Sequence, residues 1–395
     1  MAMFWWIFGM LLGVAWLWRA IENAVHIHEV PDLVKPEWDS EPKNGPYVSI
    51  IVPARNEEEG IGACLRSLLA LDYENMQIVA VNDRSSDRTG AIMDEVATSA
   101  ENKLNRLRVH HVKELPAGWL GKTHAMWKGA ALAKENSKED EWVLFTDGDI
   151  VYRPDTLRRA VGCAEKTSGD HFVLFPTMVM KDIGERMMIS MFQSLLTLGV
   201  RIWKVADPKA KDFIGAGAFN MVRRSVYETI GTYEAMRLAV VDDLRLGQMV
   251  KEKGFASRLA FGHGLISVHW AKGALGIANN MTKNFFAVFR YDISIAVAAI
   301  LLTAIFNWGP WVGVIFAPGW SFLGFFMALT GLALVYTVMG SQSKLSPIYM
   351  MLHPVAIALI LYAMCKSVWQ TVYHGGVIWR GTKYELSELK KSVRD

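Results

Sequence analysis

The sequence predicts an α/β protein: a doubly wound, mostly parallel sheet with transmembrane helices before and after it. Three observations predict this. Apolar strand-like runs alternate with amphipathic helical stretches between Tyr47 and His269. Three of those runs end in polar clusters, the usual place for ligand-binding loops in an open parallel sheet. From Ile293 to Ser343 there is no charged side chain, whereas one span needs about 20 residues.

Met1 to Trp18 is uncharged and stops at Arg19. It lacks the basic start and small-residue cleavage site of a signal peptide, so residues 1–20 are read as an anchor. Residues 21–46 form a linker, with Pro and charge concentrated from Asp32 to Pro46. A soluble domain follows over 47–290. Val48–Val52, Met76–Val81, Arg106–Val112 and Trp142–Thr146 are its strands. Glu58–Ala70, Asp87–Ala97 and Lys122–Lys134 are the helices between them. Residues 291–366 hold about three spans, with the first break between Asn307 and Pro318-Gly319 and the last span running from Leu345 to Cys365, ended by Lys366. A tail occupies 367–395.

Composition narrows the function. A formal charge of +3 over 395 residues gives no basic face for nucleic acid. Cys64, Cys163 and Cys365 are widely spaced, which disfavours a disulfide framework or a thiolate zinc site. Fifteen tryptophans and twenty methionines lean toward membrane contact.

Glu141-Trp-Val-Leu-Phe-Thr-Asp147-Gly-Asp149 carries the most chemistry. Asp147 and Asp149 at the end of a buried strand can give a hard dication oxygen ligands and leave positions for phosphate. Alone, the tripeptide reads equally as a solvated turn. The first strand ends in Pro53-Ala-Arg55-Asn56-Glu57-Glu58, and the second in Asn82-Asp83-Arg84-Ser85-Ser86-Asp87. A parallel sheet brings all three clusters to one edge, where acids can bond a base and ribose and Arg55 or a lysine can meet phosphate. Asp87 can equally cap its helix. Gly121-Lys122-Thr123 imitates a P-loop, but Pro116 stands where the loop needs glycine. Lys122 at a helix start remains suited to a diphosphate. Asp242-Asp243 opens an amphipathic segment, as a general base or as charge complementing the helix dipole. Phe213 to Phe219 is rich in small residues and permits close backbone approach to a substrate. The histidines form no site.

This ordered set of Pro-x-x-Asn-Glu, Ser-x-Asp-x-Thr, Gly-Lys, Asp-x-Asp and an acidic pair resembles the membrane-attached family-2 glycosyltransferases of GT-A fold. The chain is most similar to the bacterial hopene-associated glycosyltransferases, and more distantly to ceramide and carotenoid-linked enzymes. The resemblance spans about residues 47–290 and extends to Trp379–Tyr384. It implies that Pro53, Glu57 and Asp83 hold the uridine part of a nucleotide-sugar, with Lys122 beside the diphosphate. It implies that Asp147 contacts nucleotide or sugar, that Asp149 ligates Mg²⁺ or Mn²⁺, and that Asp243 is the base, with Asp242 its competitor. A Gln/Arg-x-x-Arg-Trp motif common in membrane relatives is missing from Asn279–Asn284.

The implied reaction is inverting transfer from a nucleoside-diphosphate-sugar to a lipid hydroxyl at a bacterial plasma membrane, catalysed on the cytoplasmic side. The rivals are a processive polysaccharide synthase, disfavoured by the missing Arg-Trp, and a non-catalytic scaffold, disfavoured by the full set of acids. Gly184–Val205, rich in methionine, is read equally as an interfacial helix and as a core helix. Three C-terminal spans would leave Lys383, Lys390, Lys391 and Arg394 outside, against the positive-inside rule, unless one segment is re-entrant or interfacial.

Overall fold

The computed structural model describes residues 2–39, 45–136 and 140–392. Residues 40–44 of the expected linker, and Arg394, lie outside the described residues. The chain forms two compact units interleaved in sequence. One comprises Val30–Thr177 and Lys204–Val268; the other comprises Met1–Glu29, Met178–Trp203 and His269–Asp395.

The first unit is built on a seven-stranded sheet. Its strands are β1 (Tyr47–Ala54), β2 (Met76–Asp83), β3 (Leu107–Val112), β4 (Asp140–Phe145), β5 (His171–Phe175), β6 (Asn220–Arg223) and β7 (Ser257–Phe261). Their order is β3-β2-β1-β4-β6-β5-β7. The first four strands are parallel, as expected, and β6 runs antiparallel to both β4 and β5. Every residue of β2 is buried, because helices cover both faces of a parallel sheet. The helix Gly121–Asn136 presents Ala125, Met126, Ala130 and Ala133 to Ile51, Val79 and Val143 in the core.

Register decides what meets at the functional edge. Pro53 is opposite Val81, and Ile51 opposite Phe145, so the ends of β1, β2 and β4 lie side by side. The reversed β6 begins where β4 ends, with Asn220 opposite Phe145. The segment before β6 is thereby delivered to the Asp147 turn.

Among the described residues of the second unit, four helices are long and apolar enough to cross a membrane, with bounds Ala2–Glu29, Ile293–Phe316, Gly319–Ser343 and Pro347–Tyr373. The first helix runs past Arg19 to His26. The Arg19 guanidinium is satisfied by Glu22 at 2.6 Å and the Thr197 carbonyl at 2.7 Å, so its charge does not end the helix. The break expected between Asn307 and Pro318-Gly319 falls at the far end of that range. The helix continues to Phe316, with Pro310 inside it. Proline cannot bond the carbonyl four residues back, and here that carbonyl, on Phe306, accepts from Trp16 Nε1 at 2.8 Å. The last helix likewise continues past Lys366, whose Nζ donates to Asn279 Oδ1 at 2.8 Å.

Two stretches expected within the 47–290 domain belong to this second unit. Ile183–Gly199 is a helix burying Met187, Met188 and Met191, and Gly273–Val288 is another. Glu185 ties their starts together. It accepts from the Gly273 amide at 2.9 Å, the Lys181 amide at 2.6 Å and His269 Nε2 at 3.1 Å. Burial opposes the Glu185 charge, but these donors hold its carboxyl down at about 2.

Candidate active site

Three side chains gather where β2 ends. Asp83 is buried and receives Arg84 Nε at 2.7 Å and Arg84 Nη2 at 3.1 Å, with Arg55 Nη1 at 3.8 Å. A Cβ on Gly121 would strike the Asp83 carboxylate, so glycine lets the helix Gly121–Asn136 start against this acid. The neighbouring loops brace one another. The Glu57 amide donates to Thr89 Oγ1 at 2.8 Å, and the Ser86 amide to Asn56 Oδ1 at 2.9 Å. Asp87 accepts from the Thr89 and Glu58 amides at 3.0 and 3.2 Å, just ahead of the helix Thr89–Thr98, whose N-cap residue is Arg88.

Lys122 stands one residue into that helix and joins two clusters. Its Nζ lies 2.8 Å from Asp147 Oδ1 and 3.3 Å from Asp242 Oδ1. Burial disfavours the Lys122 charge, but Asp147, Asp242 and Asp243 outweigh burial and raise its pKa well above the ordinary value. Asp242 is itself buried and takes Tyr233 OH at 3.3 Å. Burial raises the Asp242 pKa; Lys122 opposes this, and Asp243 and Asp147 add to it.

Asp149 is half-buried, and Lys122 is the least of the influences on its charge. Burial, Asp147 and Glu57 together raise its carboxyl to about 7. Gly60 keeps the space against it open, since a Cβ there would come within 3.1 Å of the Asp149 Cβ. Among the described residues, no group of three or more His, Cys, Asp or Glu is placed to enclose a metal. Asp147 and Asp149 are two hard oxygen donors in a region with excess negative charge. Such a pair fits a dication that keeps waters and phosphate oxygens as its remaining ligands.

Asp243 is half-buried, and the backbone fixes its carboxylate. The Gly217 amide donates to Oδ2 at 2.9 Å and the Leu244 amide to Oδ1 at 2.8 Å. Its own carbonyl accepts from Asn220 Nδ2 at 3.1 Å, and Asn220 Oδ1 lies 2.6 Å from His171 Nε2. The sequence reading named neither Asn220 nor His171, and nothing local marks them, because the contact depends on β6 running backwards between β4 and β5. The small-residue stretch does allow close approach, but to protein groups. A Cβ on Gly215 would fall on the Asp243 carbonyl, and one on Gly217 would come within 2.5 Å of Asp147 Oδ2. Gly215→Ala is therefore expected to destabilise the protein by about 1–3 kcal/mol and to displace Asp243. A melting temperature equal to wild type would contradict that close approach.

Pro53 is buried at the end of β1, and Glu57 is close enough to act on Asp149 by charge. The structure thus brings Arg55, Asp83 and Lys122 together with Glu57, Asp147, Asp149, Asp242 and Asp243 at one sheet edge. His263 lies apart from this hydrogen-bond network, against Asp32 at 3.3 Å and stacked on Phe261.

Residues 49–231 match the family model described as Glycosyl transferase family 2. The 4,4'-diaponeurosporenoate glycosyltransferase of Staphylococcus aureus strain MRSA252 is 21% identical over 354 residues, covering 87% of this chain and 90% of that protein. Its counterpart in strain USA300 is 21% identical over 367 residues, with the same coverage. Among solved structures, the mannosyltransferase PcManGT of Pyrobaculum calidifontis, in complex with GDP-Man and Mn²⁺, aligns with a TM-score of 0.53 at 16% identity. That alignment covers 94% of this chain and 99% of the other, a likeness of fold. The chain carries a family 2 glycosyltransferase domain on a GT-A-like α/β fold, and the protein is a glycosyltransferase.

Proposed function

We propose that the protein transfers a hexosyl group, with inversion, from a nucleoside-diphosphate-sugar to a lipid hydroxyl, the donor nucleotide being UDP. The observation that carries this reading is the join made by Lys122 between the Asp147-Asp149 turn and the Asp242-Asp243 pair. A donor site and an acceptor-side acid then adjoin in one compact unit. Support for the lipid comes from the four apolar helices and from the relatives named as diaponeurosporenoate glycosyltransferases. The acceptor class is a hopanoid, a sphingolipid-like lipid or another isoprenoid lipid. The setting is the bacterial plasma membrane, with the catalytic unit on the cytoplasmic side, where nucleotide-sugars are made.

In this reading Pro53, Glu57 and Asp83 hold the nucleoside, and Arg55 lies on the same side. Lys122 offsets charge on the departing diphosphate. Asp149, with Asp147, holds Mg²⁺ or Mn²⁺, which supplies Lewis-acid stabilisation of that leaving group when bound. The acceptor hydroxyl forms the new C–O bond at the anomeric carbon while the bond to the diphosphate breaks on the opposite face. Asp243 takes the hydroxyl proton. Among the described residues, no Ser, Cys or His is organised here as the nucleophile of a covalent glycosyl-enzyme. Cys64, near the Asp147 carbonyl at 3.7 Å, is buried, and burial together with the Asp149 charge keeps its thiol protonated.

The test is incubation of the purified full-length protein with radiolabelled nucleotide-sugars and host lipid extract. A single labelled lipid of inverted anomeric configuration is expected. Labelled high-mass polymer, or no transfer with any donor, would overturn the proposal.

A further inference from the structure

We infer that the last apolar helix is re-entrant: it dips into the leaflet on the catalytic side and returns, leaving the C-terminal tail on that same side. The inference rests on the membrane reading above and concerns only the packing within the helical unit. Length and hydropathy alone make Pro347–Tyr373 a candidate span. Its partners contradict a crossing.

The first helix and Phe322–Ser343 run parallel. Gly9 faces Gly324 and Phe325, and one register further along Trp16 and Leu17 face Gly331. Ile293–Phe316 runs antiparallel to both. Its Phe306 meets Trp16, its Gly309 meets Leu12, and its Gly313 meets Phe325. Three ends therefore share one side: His26, where the chain leaves for the catalytic unit, Ile293 and Ser343.

His353, the first residue of the last helix, does not lie on the opposite side. It is fully buried, with Nε2 3.1 Å from Asn307 Oδ1 and Nδ1 2.9 Å from Tyr336 OH. Trp308 Nε1 adds a bond to the Pro354 carbonyl at 3.0 Å. Asn307 is about 14 residues from the Ile293 end, or roughly 21 Å along the axis. Tyr336 is only about two helical turns from Ser343. His353 thus starts its helix part-way into a hydrocarbon layer about 30 Å thick.

From that point the helix runs back. Ser367 Oγ accepts from the Phe286 amide at 3.0 Å, and Lys366 reaches Asn279, both on the helix that leads into Ile293. The descending limb is the short 3₁₀ segment Pro347–Leu352, whose Ile348 and Met351 are 66% and 62% exposed. Such apolar exposure on the descending limb suits acyl chains of the leaflet it enters. The buried Asn307–His353–Tyr336 chain satisfies the polar groups that an interrupted helix places at membrane depth. With three crossings, Lys383, Lys390 and Lys391 fall on the side of the catalytic unit, in agreement with positive-inside.

The test uses full-length protein in sealed vesicles with the exposed Cys365 changed to serine; Cys64 and Cys163 are buried. Single cysteines are introduced as Lys103→Cys on the catalytic unit, Trp320→Cys between two spans, Ser387→Cys in the tail and Ile348→Cys on the descending limb. A membrane-impermeant maleimide should label positions 387 and 103 from the same side and position 320 from the other. Position 348 should react only with a lipid-soluble maleimide. Labelling of 387 together with 320 would overturn the inference, as would aqueous labelling of 348 from the side of 320. Release of the whole chain by alkaline carbonate would instead defeat the membrane reading beneath it.

Discussion

Asp243→Asn is expected to lower kcat by about 10²–10⁴-fold and to leave donor affinity close to wild type. The substitution keeps shape and removes the charge that accepts the acceptor's proton. Asp243 is the better placed of the pair because it is half-buried, with its carboxylate oriented by the Gly217 and Leu244 amides. Asp242 is buried against Lys122 and Tyr233, so both of its oxygens are engaged within the protein. Asp242→Asn should therefore act differently. It leaves Lys122 with Asp147 as its near ion-pair partner, costs about 1–3 kcal/mol of stability, and weakens donor binding through Lys122. Titration with nucleotide and single-turnover transfer separate the two variants. Normal transfer by Asp243→Asn, with Asp242→Asn inactive, would move the base by one residue.

The parts of this molecule legible in the sequence are those whose physics is local. β1, β2 and β4 are buried on both faces and read as apolar runs, and the acids at their ends stand beside those runs in the chain. What was illegible depends on partners far away. Arg19 and Lys366 look like helix ends because a lone charge ends a span. In the fold, Thr197, Glu22 and Asn279 satisfy them and the helices continue. Pro310 reads as one end of the break, and the carbonyl it orphans is taken by Trp16, 290 residues away. Asn220 and His171 support Asp243 only because β6 is reversed, which no local pattern announces. The methionine-rich helix Ile183–Gly199 carries the same apolar face whether it packs on a sheet or on membrane helices. Its membership of the helical unit is a tertiary outcome.

Metal affinity in the donor-free protein is expected to rise with pH by about tenfold per unit up to about pH 7, then level off. The sign follows from Asp149. Its carboxyl is raised by burial, Asp147 and Glu57 to about 7, so between the ordinary carboxylate value and 7 the folded protein keeps a proton that the unfolded chain has released. Two consequences share that window. Without metal, stability falls as pH rises from about 4 to about 7, because the folded state must then hold a charge that burial, Asp147 and Glu57 oppose. With metal, the dication selects the ionised carboxylate and displaces the proton, so binding strengthens over the same range. Asp149→Asn removes the titrating group, and should flatten both dependences and abolish metal-stimulated transfer. In the wild type, excess chelator should abolish transfer and either Mg²⁺ or Mn²⁺ should restore it. Mn²⁺ binding measured from about pH 5.5 to about 8.5, beside melting temperatures with and without chelator, decides the matter. A slope centred near the ordinary carboxylate value would place the proton elsewhere, and full transfer in chelator would remove the metal from the reaction.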